Sequence, residues 1–127
     1  MIKILLIFFI VTYSYAFRVE SSYVVAHKKA LKEDKILLVF LTKKSCLYCN
    51  SEFTKLLENV AIDKIIEKRA IFVIVMKNQK ESYPIEMLFT REYPTLFFLD
   101  KHELFHCETL YGEMKVEKVL ECIESKF

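Results

Sequence analysis

Two cysteines, Cys46 and Cys49, lie three positions apart in the stretch Lys44-Ser45-Cys46-Leu47-Tyr48-Cys49-Asn50. Thiols at that spacing can exchange disulfides. One attacks a disulfide sulfur as the thiolate, and the second resolves the mixed disulfide that results. The same pair could also be half of a metal site or a short structural clip. The clip is the weaker reading, because so short a loop limits the stabilisation that closure provides. Position separates these readings. The pair follows a continuous apolar run and precedes a stretch of helical periodicity, so the thiols stand where a strand ends and a helix opens. A helix N-terminus leaves N–H groups unpaired and carries partial positive charge, which favours a thiolate over a thiol.

The elements that must hold the pair there are legible from periodicity. Residues 19–32 carry apolar side chains at helical spacing (Tyr23, Ala26, Ala30, Leu31) and predict an amphipathic helix. Residues 36–41, Ile-Leu-Leu-Val-Phe-Leu, predict a strand buried on both faces. Helix is expected over 52–60 and again over 62–68, with a break near Asn59. Residues 70–76 predict a second buried strand, 84–90 a short helix, and 95–99 a third strand. Asp100-Lys101-His102 turns the chain into a fourth strand over 103–110, forming a hairpin. Gly112 interrupts the pattern before a terminal helix over 113–126, with Val116, Val119, Leu120 and Ile123 facing inward. Strands joined through helices first and a hairpin last predict an α/β fold: a central mixed β-sheet flanked by helices on both faces.

The first residues bear on compartment. Lys3 precedes the apolar run 4–11, and Tyr13-Ser14-Tyr15-Ala16 places small residues at −3 and −1 of a cut after Ala16. This is the layout of a secretory signal peptide over 1–16, leaving one domain over 17–127. The run is short for a membrane span, which needs about 20 apolar residues; an uncleaved anchor is the other reading. The chain as a whole has 19 basic and 17 acidic residues, a formal net charge of +2. Such a balance gives no support for nucleic-acid binding, which calls for a markedly basic surface. The lysines, Lys28, Lys29, Lys43 and Lys44 among them, read as solvated faces.

Taken together, three features resemble the thioredoxin superfamily, and in particular its secreted or periplasmic thioredoxin-like thiol–disulfide oxidoreductases. They are the strand–Cys46-x-x-Cys49–helix unit, Tyr93-Pro94-Thr95 entering a strand, and Gly112 between the hairpin and the last helix. The resemblance covers the whole of 17–127. It implies a thioredoxin-like fold with a cis Tyr93–Pro94 bond beside the cysteines. It implies Cys46 as the attacking thiolate and Cys49 as the resolving thiol. It also implies substrate contact through Tyr93, Pro94, Leu47 and Tyr48. Ser45 is a candidate helix cap and Asn50 a candidate for the polar rim. The chain departs from the family where thioredoxin keeps a buried aspartate, six residues before its first cysteine. Phe40 stands there, so a proton shuttle at that position is missing or replaced. There is no tryptophan, and Leu47-Tyr48 replaces the Gly-Pro between thioredoxin's cysteines.

Cys107 and Cys122 are a second pair. Buried, inert thiols are the expected state, with a structural disulfide as the alternative, since four cysteines permit three pairings. His102, His106 and Cys107 suggest half of a zinc site, but on a strand the histidines would be two surface side chains beside a turn; no metal is expected. Haem attachment would need histidine where Asn50 stands. The resulting expectation is an exported, monomeric enzyme that needs no cofactor beyond its redox-active cysteine pair. It would act on protein thiols and disulfides, more as a reductase than as an oxidase or isomerase. A membrane-embedded protein would supply its electrons. A client-binding or copper-carrying module without catalysis is the alternative of another class.

Overall fold

A computed structural model describes residues 17–79, 83–84 and 86–125. The leader expected over 1–16 lies outside them. No described helix is long and apolar enough to cross a membrane.

The chain runs β1 (Val19–Glu20), α1 (Tyr23–Glu33), β2 (Ile36–Thr42), α2 (Leu47–Glu58), α3 (Val60–Arg69), β3 (Ala70–Met76), β4 (Thr95–Leu99), β5 (Leu110–Tyr111) and α4 (Val116–Glu124). The strands form one mixed sheet in the order β1-β3-β2-β4-β5. β3 is parallel to both β1 and β2, and β4 is antiparallel to both β2 and β5. The α/β architecture is the one the apolar periods predict.

β2 is buried along its whole length because both faces of the sheet are covered. Successive strand side chains point to opposite faces. Leu38 and Phe40 therefore join a core with Leu56 of α2, Ile62 and Ile66 of α3, and Val119 and Ile123 of α4. Leu37, Val39 and Leu41 join a second core with Tyr23, Ala26 and Ala30 of α1. α1 starts where the Ser22 side chain accepts from the Val25 N–H and stops at Asp34, whose φ of 55° is left-handed. Asn59 ends α2 and starts α3. Its Oδ1 accepts from the Ile62 N–H at 3.0 Å, which satisfies one of the donors a helix start leaves unpaired. The break expected near Asn59 is this shared cap.

Four expectations change. Val19 and Glu20 belong to an edge strand, β1, since they pair with Phe72 and Val73 and the helix begins only after Ser22. α2 starts at Leu47, five residues earlier than its apolar repeat, because Leu47, Tyr48 and Asn50 of its first turn are exposed and break the apolar pattern. Where a short helix is expected over 84–90, residues 86–88 form a turn. The Leu88 N–H donates to the Pro84 carbonyl at 2.9 Å, and Leu88 plugs the second core. The strand expected over 103–110 shrinks to an isolated bridge, Leu99 with Phe105, and the two residues of β5. Its start is lost because Asp100 Oδ1 accepts from both the His102 and Leu104 N–H groups, and Glu103 turns left-handed at φ 66°.

Candidate functional site

β2, the central strand, delivers the chain from its C-terminal end to Cys46, and Ser45 bends it with φ 58°. Cys46 itself is the N-cap of α2, a role the sequence reading offered to Ser45. Its Sγ accepts from the Cys49 N–H at 3.1 Å, so a donor at the helix start points at the sulfur. The two cysteines form a disulfide, with Cα atoms 5.2 Å apart. They differ in access: Cys46 is half-buried, whereas Cys49 is 1% exposed. Between them, Leu47 is 85% exposed and Tyr48 about half exposed, an apolar rim with no core function. Asn50 is exposed on the next position of the helix.

The segment facing this turn comes from the other end of the sequence. Tyr93–Pro94 is a cis peptide, and Pro94 is buried at the entrance to β4. The Thr95 and Thr90 hydroxyls both donate to the Glu92 carbonyl, at 2.6 and 3.0 Å, which closes the loop ahead of the proline. The Pro94 carbonyl accepts from the Gly112 N–H at 2.8 Å. Gly112 has φ 71°, and a Cβ placed on it would lie 3.7 Å from the Tyr48 hydroxyl. Gly112, close to the Tyr48 hydroxyl and bonded to Pro94, therefore lies between the cysteine turn and the cis-proline. Around Tyr93, the Lys43 and Lys77 ammonium groups sit 5.6 and 5.5 Å from the ring centroid. Cations at that range are attracted to the ring face, and they make this rim positive.

A residue that periodicity passed over also belongs here. Glu52, one turn after Cys49, is buried, and its Oε2 accepts from the Met114 N–H and from Lys55 Nζ, both at 2.8 Å. It ties α2 to the loop that carries Gly112. Burial works to raise its pKa, but the Lys55 and Met114 donors outweigh it, and the carboxyl is held below its ordinary value. A glutamate on the inward face of an amphipathic helix was the available signal. Phe40, at the position discussed above, is buried and packs against Phe53 and Phe72 at centroid distances of 5.4 and 6.1 Å.

The second cysteine pair differs from expectation. Cys107 and Cys122 are bonded rather than free, with Cα atoms 5.9 Å apart, within the range a disulfide spans. The reason is tertiary: the segment after the Phe105 bridge crosses α4, which brings the half-buried Cys107 onto Cys122. His106, Cys107 and Cys122 place potential ligand atoms within 4.8 Å of one another, but both sulfurs are committed to the disulfide. His102 is exposed in the 100–103 turn, whereas His106 Nε2 lies 3.1 Å from the Cys122 carbonyl. The histidines are thus not two surface side chains sharing one strand face.

No family model and no curated protein matches this sequence. Solved structures do. The protein is similar to a DsbH oxidoreductase at 17% identity, with 87% of each chain covered and a TM-score of 0.68. A thioredoxin from Thermus thermophilus aligns over 85% of each chain at 18% identity, also with a TM-score of 0.68. The chain has the thioredoxin fold. A "putative disulphide-isomerase" from Bacteroides thetaiotaomicron is similar at 22% identity over 88% of this chain and 95% of that one, with a TM-score of 0.65. Within the thioredoxin fold, Cys46 and Cys49 stand at the start of the helix that follows β2, and Pro94 stands at the entrance to β4.

Proposed function

We propose that this protein is a thiol–disulfide oxidoreductase, exported to the periplasm or an equivalent space, that reduces disulfides in protein substrates. The observation that carries the reading is the asymmetry of the pair. Cys46 is half-buried and its Sγ accepts from the Cys49 N–H, while Cys49 is buried behind it. In the reduced form, the Cys46 thiolate attacks one sulfur of a substrate disulfide, and the substrate's other sulfur leaves as a thiolate and takes a proton. Cys49, deprotonated, then attacks Cys46 Sγ and releases the reduced substrate. Two electrons pass to the substrate, and the enzyme is left as the Cys46–Cys49 disulfide. Leu47, Tyr48, Tyr93 and Pro94 are the substrate-contacting residues in this reading. The oxidised enzyme is re-reduced by a membrane-embedded donor, and the cysteine pair serves in place of any other cofactor.

Insulin-disulfide reduction tests it. Cys46→Ser is expected to abolish turnover, and Cys49→Ser to accumulate mixed disulfides with substrate. Unchanged turnover in both variants would sink the enzyme reading, and sub-micromolar copper binding without exchange would replace it with a carrier. Direction is read from the reduction potential in a glutathione titration. A value near about −270 mV supports a reductant, and one near about −120 mV an oxidant.

A further inference from the structure

Asp63 has no place in the redox chemistry. It lies in the first turn of α3, is 3% exposed, and its Oδ1 has no hydrogen-bond partner. A buried polar atom left unsatisfied costs about 1–3 kcal/mol, and more when it carries charge. Burial pushes the pKa of this carboxyl up, and the backbone N–H of Phe17, donating to it, works the other way. Phe17 is itself 5% exposed, and its ring packs on Phe72 at 4.9 Å, so its nitrogen is pinned beside the carboxylate from the core side. The leader pattern, which owes nothing to this packing, places the cut on the other side of that same nitrogen, between Ala16 and Phe17. An amide nitrogen offers one hydrogen and no charge. A free α-ammonium offers three hydrogens and a full positive charge, and with a pKa of about 8 it is protonated at neutral pH.

We propose that Asp63 is the receptor for the α-ammonium group that leader removal creates at Phe17, so that processing completes the core. The inference rests on the export reading above. A leader-removing peptidase supplies the step. Water's oxygen bonds to the Ala16 carbonyl carbon, the bond from that carbon to the Phe17 nitrogen breaks, and the released amine takes a proton. The new ammonium pairs with the carboxylate, and Oδ1 gains the donor it lacks. Until then the buried carboxyl has the Phe17 N–H but no ion-pair partner among the described residues, and a buried charge without one is destabilising. The same contact therefore makes the native state more stable after export than before it.

The full chain, expressed in a host that exports it, is expected to yield a protein whose first residue is Phe17; any other N-terminus overturns the proposal. That protein is then compared in urea with a form carrying Gly-Ser ahead of Phe17, each with Asp63 and with Asp63→Asn. With Asp63, the extension should shift the unfolding equilibrium toward the unfolded state by at least about tenfold. In Asp63→Asn, the shift should fall below about twofold. Equal shifts in the two backgrounds, or none, overturn it. Should Asp63→Asn fail to fold, the Phe17 amine of the processed protein should react with an amine-directed label at least about tenfold slower when folded than in urea, and equal rates refute the docking. Insulin reduction is followed on the same samples. Activity retained without coupling removes the docking site alone, whereas inactivity of every sample, coupling intact, removes the enzyme reading alone.

Discussion

Glu52 shows how a single side chain can be decisive and still be passed over. Thioredoxin's buried carboxylate position is occupied here by Phe40, yet a buried carboxylate does lie near the cysteine turn, on α2 and one turn after Cys49. It is no substitute proton shuttle: Lys55 and the Met114 N–H hold it ionised, whereas a shuttle works best with a pKa near the operating pH. Its work is mechanical. A carboxyl with a depressed folded-state pKa contributes stability that is present above its ordinary value of 4.5 and is lost as pH falls through the folded value. Acid unfolding monitored below pH 4.5 should therefore be less steep in Glu52→Gln than in the wild type. At pH 7 the same variant should lose about 1.5–3 kcal/mol in urea unfolding, the range for a hydrogen bond to a charged group.

Between elements, two ties bear on the C-terminal part of the chain. The first is the loop from β5 to α4, gripped by α2 through Tyr48 and Glu52. Gly112 in that loop needs its left-handed φ, and the 3.7 Å approach of Tyr48 is ordinary contact, so the cost of a methyl group is in the backbone. Gly112→Ala is expected to lose about 1–2 kcal/mol. Insulin reduction should also slow, because the Gly112 N–H positions Pro94. The second tie is the Cys107–Cys122 disulfide, which closes a loop of 15 residues. Replacing both cysteines with alanine should cost about 3 kcal/mol, as loop-closure entropy predicts for that length. Turnover below the melting point should stay close to wild type, because neither sulfur belongs to the Cys46–Cys49 site. Thermal unfolding with and without the double substitution checks the first expectation, and insulin reduction at 25 °C the second.

The molecule as a whole is one sheet with two cores, and each of its central strands contributes to both. Neither core can melt while the other persists, because Leu38 and Val39 are consecutive residues facing opposite sides. Unfolding is expected to be a single transition, with far-UV circular dichroism and insulin reduction lost at the same urea midpoint. Phe72 is the test of the larger core. It touches the rings of Phe17, Phe40 and Phe53, so it joins β1's entrance, β2 and α2. Phe72→Ala should cost about 3–5 kcal/mol through lost burial and the cavity left behind.

Much of this was legible in the amino-acid order. Buried strands announce themselves as unbroken apolar runs, so β2, β3 and β4 were placed almost to the residue, and the cysteine turn with them. The break near Asn59 was legible too, though not that Asn59 caps α3. The unread parts are those whose cause lies far away in sequence. β1 exists because β3 offers it an edge, and the strand expected over 103–110 fails because Asp100 folds the chain back on itself. Cys107 meets Cys122, Glu52 meets Met114, and Tyr48 meets Gly112 only once the sheet and helices have packed. Periodicity reports which face of an element avoids water, and that follows from neighbours along the chain. Which two faces meet depends on the packing of every element at once, and only the tertiary structure decides it.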